Sequence, residues 1–207
     1  MSEKNKISNS LLRLEAGEWD SSPPVPPNKY KPRSSEVKKV KIDSRDLALA
    51  AVFAALYATL VLALAGISFQ LVQVRVADAL IPLSMLFGWP VIIGVTVGGI
   101  VANVVSPMPS VIVDVSLGSA ANLIASILAW KIGKLKLSSE TTREFLGCVA
   151  STFVITFIVG TYLAMLTEME LWVWWLGIGV GSIISINILG FALIQVIKKV
   201  PVKPRST

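Results

Sequence analysis

The sequence contains no histidine and a single cysteine, Cys148, set within an apolar stretch. A structural zinc site therefore lacks its usual ligands, a disulfide lacks its second half, and a Cys–His nucleophilic pair lacks its base. Charge is scarce as well: 15% of the 207 residues are Asp, Glu, Lys or Arg, against about 25% in ordinary soluble domains. Between Leu47 and Trp130 the formal charges are Arg75, Asp78 and Asp114 alone. Gly133-Lys134 has neither the upstream glycine nor the following Ser/Thr of a phosphate-binding loop, so the chain is not expected to hydrolyse ATP. Serine-elbow and metalloprotease motifs are missing too. A membrane-embedded enzyme using Asp78 and Asp114 as paired acids is thus disfavoured, and no enzymatic activity and no cofactor are expected.

What the sequence does have is apolar residues, 54% of the total, gathered in long blocks. Blocks of this length point to spanning helices rather than to a globular core. The expected fold is an all-α integral membrane protein of six transmembrane helices, at about 47–67, 72–88, 90–106, 111–132, 145–167 and 171–197. The second and third are short for a hydrocarbon core of about 30 Å. Pro82 is expected to bend the second, and Trp89-Pro90 starts the third, where proline is tolerated. Residues 1–46 are polar and carry Pro23-Pro24-Val25-Pro26-Pro27 and Pro32, which predicts a disordered tail with polyproline II character. The first long apolar run starts at Leu47, so no signal peptide is expected. Residues 198–207 read as a basic C-terminus.

The net charge of +6 has no basic stripe behind it and gives no reason to expect nucleic acid. Its basic residues sit at Lys38, Lys39 and Lys41, at Lys131, Lys134, Lys136 and Arg143, and at Lys198, Lys199, Lys203 and Arg205. An even number of spans puts these three groups on one side, which the positive-inside rule makes cytoplasmic. The chain is accordingly expected in the plasma membrane, in contact with lipid, with both termini inside. Glu168 and Glu170 would lie in a short outer loop.

In this topology the polar membrane residues gather near the outer face. An ionisable group within a span costs several kcal/mol and is a functional candidate by default. The candidate small-molecule site is Gln73, Arg75, Asp78, Asn103, Asp114 and Ser119, with Arg75 and Asp78 sharing a helix face at i and i+3. The competing view is a clamp in which Arg75 only neutralises Asp78 or Asp114. Asn122 and Ser126 read as helix–helix hydrogen bonds. Trp172, Trp174 and Trp175 read as an interfacial belt, and Phe69 as a lid in the first outer loop. Ala50, Ala54 and Ala58, with Ala51 and Ala55 alongside, form a strip of small residues on which a partner helix could pack. Gly94-x-x-x-Gly98 and Gly177-x-Gly179-x-Gly181 read as internal contacts.

Three segments together resemble one family. Val72-Gln73-Val74-Arg75-Val76-Ala77-Asp78-Ala79-Leu80 is similar to the V-Q-[FV]-R-V-S-E-x-L segment of QueT-type proteins, the substrate-binding (S) components of energy-coupling factor (ECF) transporters assigned to queuosine precursors. Gly98-Gly99-Ile100-Val101-Ala102-Asn103-Val104-Val105-Ser106 resembles their G-x-x-I-A-N-x-x-S segment, and Asp114-Val115-Ser116-Leu117-Gly118-Ser119 their D-x-x-x-G-S segment. The alanine-rich first helix is similar too, and the likeness runs over about residues 45–197 in helix order. It departs at Asp78, where Glu is usual, and at Gly181-Ser182, where Gly-Glu is expected; both bear on the substrate more than on the fold. The resemblance implies an S component that captures a scarce nutrient outside the cell, with a 7-deazapurine as ligand. It further implies a membrane scaffold (the T component) leaning on the alanine strip, and two ABC-type ATPases that alone consume ATP. Asp114 or Asp78 would accept donors from the ligand, with Arg75, Gln73 and Asn103 donating or organising. The rival readings are an S component for another vitamin, a solitary ion-coupled carrier, and a structural membrane subunit.

Overall fold

The computed structural model describes residues 43–137 and 139–199; the expected N-terminal tail up to residue 42, and Lys203 and Arg205, lie outside the described residues. Among the described residues all regular structure is helical. Six segments follow in order: α1 (Ser44–Ala63), α2 (Val76–Phe87), α3 (Trp89–Asn103), α4 (Val111–Gly133), α5 (Glu140–Thr167) and α6 (Leu171–Lys199). Four of them, α1, α4, α5 and α6, are long and apolar enough to cross a membrane.

α2 and α3 are the short pair the composition predicts, and α2 is shorter than expected. Val72–Arg75 are not helical, and the segment opens as a 3₁₀-helix over Val76–Leu83 before an α-helical turn at Ser84–Phe87. Pro82 sits in the tighter 3₁₀ stretch, where it removes an amide donor without ending the helix. Gly88, at φ 71°, is the single residue that turns the chain from α2 into α3. π-helical turns interrupt α4 at Asp114–Gly118 and α6 at Ile183–Gly190.

Close packing of α1 on α3 explains the Gly94-x-x-x-Gly98 spacing. A Cβ on Gly94 would stand 2.5 Å from Phe53 Cβ and 2.8 Å from the Ala50 carbonyl oxygen. One on Gly98 would stand 2.7 Å from the Ala54 oxygen. Small residues on both helices are thus what lets the backbones meet. Here the expectation for Ala50, Ala54 and Ala58 needs correcting. Ala50 and Ala58 are buried and Ala54 is half-buried, so this strip is occupied by the chain's own α3. Ala51 and Ala55, one position round the helix, are the exposed small residues.

α5 starts at Glu140, ahead of the apolar run, because Ser139 caps it and accepts a bond from the Thr142 amide at 3.4 Å. This extra turn carries a polar clasp to the end of α6. Glu144, 2% exposed, accepts from Lys198 Nζ at 2.9 Å and from Gln195 Nε2 at 2.8 Å. Lys198 also reaches Glu140 at 2.8 Å. Taking one partner from a buried ion pair costs about 3–5 kcal/mol, and here less, because the Lys198 side chain is 28% exposed. Lys198→Met is expected to destabilise the protein by about 2 kcal/mol, read as a lowered Tm in detergent, with Lys198→Arg restoring most of it.

Candidate functional site

Between α1 and α2 the chain crosses the molecule as a strap. The segment begins with a one-turn helix, Ala65–Ser68, and its extended part is anchored where the Val74 amide donates to the Ile67 carbonyl at 3.1 Å. The Gln73 side-chain amide donates to the Ser68 carbonyl. The strap then lies directly on α6, and two glycines make room for it. A Cβ on Gly177 would fall 2.1 Å from the Leu71 carbonyl oxygen, and one on Gly181 would fall 1.9 Å from that of Gln73. These glycines are internal contacts, as their spacing led us to expect, though they receive a backbone strap rather than a helix.

Seating the strap turns Gln73 and Arg75 inward, to 6% and 4% exposure, while Leu71 and Val72 stay outside. Arg75 precedes the 3₁₀-helix, and the Asp78 amide donates to its carbonyl at 2.9 Å. Side chains three apart nearly eclipse in such a turn, and Arg75 and Asp78 indeed line one cavity together with Gln73, Asn122 and Ser182. Ile155, Val159 and Ile178 complete its wall. The cavity volume is about 10 Å³, room for roughly one water centre. A planar heterocycle can enter only if the strap or the helices give way.

The cavity holds one cationic and one anionic side chain, Arg75 and Asp78. Asp78 Oδ1 accepts from the Tyr57 hydroxyl at 2.6 Å, and that hydroxyl accepts from Asn122 Nδ2 at 2.8 Å. Asn122 also bonds the Val95 carbonyl at 3.3 Å, so it ties α4 to α3 as read from the sequence and lines the cavity besides. Among the described residues Arg75 has no carboxylate within 4 Å and no side-chain hydrogen bond, and its Nε is buried without a partner. Its Cζ lies 5.5 Å from the centroid of the Phe69 ring. Neither aspartate makes an ion pair with Arg75 within 4 Å, but Asp78 shares its cavity and both carboxylates act on its charge from a greater distance. Phe69 is itself buried, beneath the guanidinium.

Asn103, Asp114 and Ser119 are buried but do not line the cavity. They form a neighbouring cluster between α3, α4 and α5. Asp114 Oδ1 accepts from the Tyr162 hydroxyl at 2.5 Å, and Asn103 Nδ2 donates to the Asp114 carbonyl at 3.1 Å. Asp114 Oδ2, Asn103 Oδ1 and Ser119 Oγ have no partner. Both aspartates are thus held by a tyrosine, and neither tyrosine was singled out in the sequence. A tyrosine in mid-span must find a partner for its hydroxyl, which is the signal that could have found them. Ser126 donates within its own helix, to the Asn122 carbonyl at 2.7 Å. Trp174 and Trp175 donate to Thr167 and Thr161, Trp172 is exposed, and none of the three reaches the cavity.

The polar cavity thus lies under the strap, set among apolar helices. The model of one family, QueT transporter, matches residues 47–199. This chain belongs to the QueT transporter family. It is therefore a transporter component of the substrate-binding, ECF-associated type, and not an enzyme. Its four long apolar helices make it a multi-pass protein of the cell membrane. No curated protein and no solved structure matches the chain.

Proposed function

We propose that this S component captures a small planar nutrient, a 7-deazapurine of the queuosine-precursor class, in the cavity under the strap. The observation that carries this reading is the buried guanidinium of Arg75, its Nε without a hydrogen-bond partner, lining the same cavity as Asp78. A fused heterocycle with a guanine-like edge offers the complement of both: a carbonyl for Arg75 and Gln73, and N–H donors for the Asp78 oxygen that Tyr57 leaves free. Ile155, Val159 and Ile178 supply apolar surface for the ring faces. Asn103, Asp114 and Ser119 act from behind, holding the wall of α3 and α4.

In the membrane all six segments cross. α3 has 15 residues, about 22 Å at 1.5 Å each. The 3₁₀ rise of about 2 Å per residue gives α2 a comparable reach despite its fewer residues. Lys131, Lys134, Lys136 and Arg143 join Lys198 and Lys199 at one end, which the positive-inside rule makes cytoplasmic. The strap then faces outside. Uptake is driven by a T component and two ABC-type ATPases, and the exposed Ala51 and Ala55 of α1 offer the scaffold a close approach.

Thermal unfolding of the purified chain in detergent, against deazapurines and vitamins, tests the reading. A ligand of the native state adds about 2.7 kcal/mol at a hundredfold excess over its Kd, so a deazapurine should raise Tm by several degrees. A shift with an unrelated vitamin alone would replace the substrate. No shift with any compound would remove the capture role.

A further inference from the structure

The cluster beside the cavity has more polar atoms than holding a wall requires. Asp114, Asn103 and Ser119 are 2%, 0% and 5% exposed, and each ends in a buried oxygen without a hydrogen-bond partner. Such orphans are rare in folded interiors, and a bound ion or water is the usual reason for them. Asn103 spends its Nδ2 on the Asp114 carbonyl at 3.1 Å, which fixes the amide's orientation and leaves Oδ1 as a pure acceptor. Asp114 receives Tyr162 on Oδ1 and nothing on Oδ2.

Local structure draws these groups together at the start of α4. Asp114–Gly118 is π-helical, and a π-turn closes over five residues, so Ser119 comes round nearer to the face of Asp114 than an α-helix would bring it. Gly118 lets α3 approach: a Cβ there would stand 2.5 Å from Asn103 Nδ2 and 3.2 Å from the Tyr162 hydroxyl. One turn earlier on α3, a Cβ on Gly99 would stand 3.6 Å from Ser119 Oγ.

Charge decides what fits there. Across residues 47–130, 145–167 and 171–197 the formal charges are Arg75, Asp78 and Asp114 alone. Both aspartates act on the one guanidinium, so two carboxylates share a single cation and one negative charge is in surplus. A surplus of this kind among apolar helices is costly. A water could bridge the three oxygens but would not answer the charge.

We propose that Asp114 Oδ2, Asn103 Oδ1 and Ser119 Oγ bind a hard monovalent cation, of the sodium or potassium class, behind the wall of the ligand cavity. Donors that are all oxygen suit a hard ion. Calcium sites gather six to eight oxygens, several of them from carboxylates, and magnesium demands a near-ideal octahedron; one carboxylate with an amide and a hydroxyl matches a single charge. With the ion on Asp114, Asp78 is left to answer Arg75. The site does not depend on which nutrient the cavity takes.

The experiment is thermal unfolding of the full chain in detergent at a constant ionic strength of about 0.15 M, with choline chloride replaced stepwise by sodium or potassium chloride. At least one of the two ions is expected to raise Tm above its value in choline by about 3 °C or more. Asp114→Asn keeps an acceptor for Tyr162 and should fold, yet lose the ion-dependent rise. Ser119→Ala should move the onset of the rise to a concentration about tenfold higher, the loss of one ligand from a small set. Should Asp114→Asn not fold, equilibrium dialysis with radioactive sodium or rubidium decides, on wild type and Ser119→Ala. One ion per chain and an affinity about tenfold weaker in the variant are then expected. Equal Tm in all three salts, the result that a water or a proton on Asp114 would give, overturns the proposal. So does an ion-dependent rise that survives Asp114→Asn, which would put the ion elsewhere. Neither result touches nutrient capture, which is read with the deazapurine panel.

Discussion

Arg75→Met is expected to weaken ligand binding by about a hundredfold or more while leaving the stability of the empty protein close to that of wild type. Hydrogen bonds to a charged group contribute about 1.5–3 kcal/mol each, and two lost from one guanidinium account for a factor of that size. The stability side of the expectation separates the two roles considered for this residue. A clamp between helices would cost several kcal/mol when broken. Arg75 has no carboxylate within 4 Å among the described residues, and its Nε is buried without a partner, so a methionine of similar length breaks no direct ion pair. Asp114→Ala should behave in the opposite way. It cuts the bond from Tyr162 and strands that hydroxyl in the interior, so Tm should fall by an amount corresponding to about 1–3 kcal/mol, with any binding loss following from a loosened wall. Calorimetric affinity and unliganded Tm, measured on both variants, check the pair. A large drop in Tm for Arg75→Met without loss of binding would return the residue to a structural role.

Gly181→Ala should disable the roof of the cavity. The added Cβ would meet the Gln73 carbonyl oxygen at 1.9 Å and its carbon at 2.5 Å. A backbone carbonyl cannot rotate away as a side chain can, so the strap has to lift. Overpacking of this kind costs about 1–3 kcal/mol, and it falls on the segment that carries Gln73 and Arg75. We expect binding to weaken at least tenfold and limited proteolysis to cut first between residues 69 and 75, with α1 and α3–α6 still folded. Gly179→Ala is the control: its Cβ would meet only the Thr156 side chain, at 3.4 Å, and both properties should remain near wild type.

Much of this architecture could be read from the residues, for reasons that also explain the misses. α4 and α6 begin at Val111 and Leu171, as expected, because an apolar run there follows a polar or proline-bearing turn. α5 begins five residues before the apolar run at 145, since its first turn is a capped, charged one that hydropathy does not register. The misassigned start of α2 has a different cause. Val72, Gln73 and Val74 alternate in a way that suits an extended chain, but the surrounding apolar block hid the period. Of the six residues proposed for the ligand, Gln73, Arg75 and Asp78 line the cavity, whereas Asn103, Asp114 and Ser119 stand in the cluster beside it. Rarity of charge in a span identifies which residues matter, but not which side of a helix wall they occupy. Ser182 was visible only as a departure from the resemblance, and the structure places it in the cavity wall.

A buried arginine whose Nε has no hydrogen-bond partner also bears on how long the protein lasts. A vacant chain is in effect an unfinished fold, lying closer to its unfolding threshold than the same chain with nutrient seated against Arg75. Quality-control proteases act on the fraction that opens, and a change of one or two kcal/mol can alter abundance several-fold. Turnover of the vacant carrier should therefore outpace that of the loaded one. Supply of the nutrient would then set the amount of its own receptor in the membrane, with no regulator involved beyond the arginine.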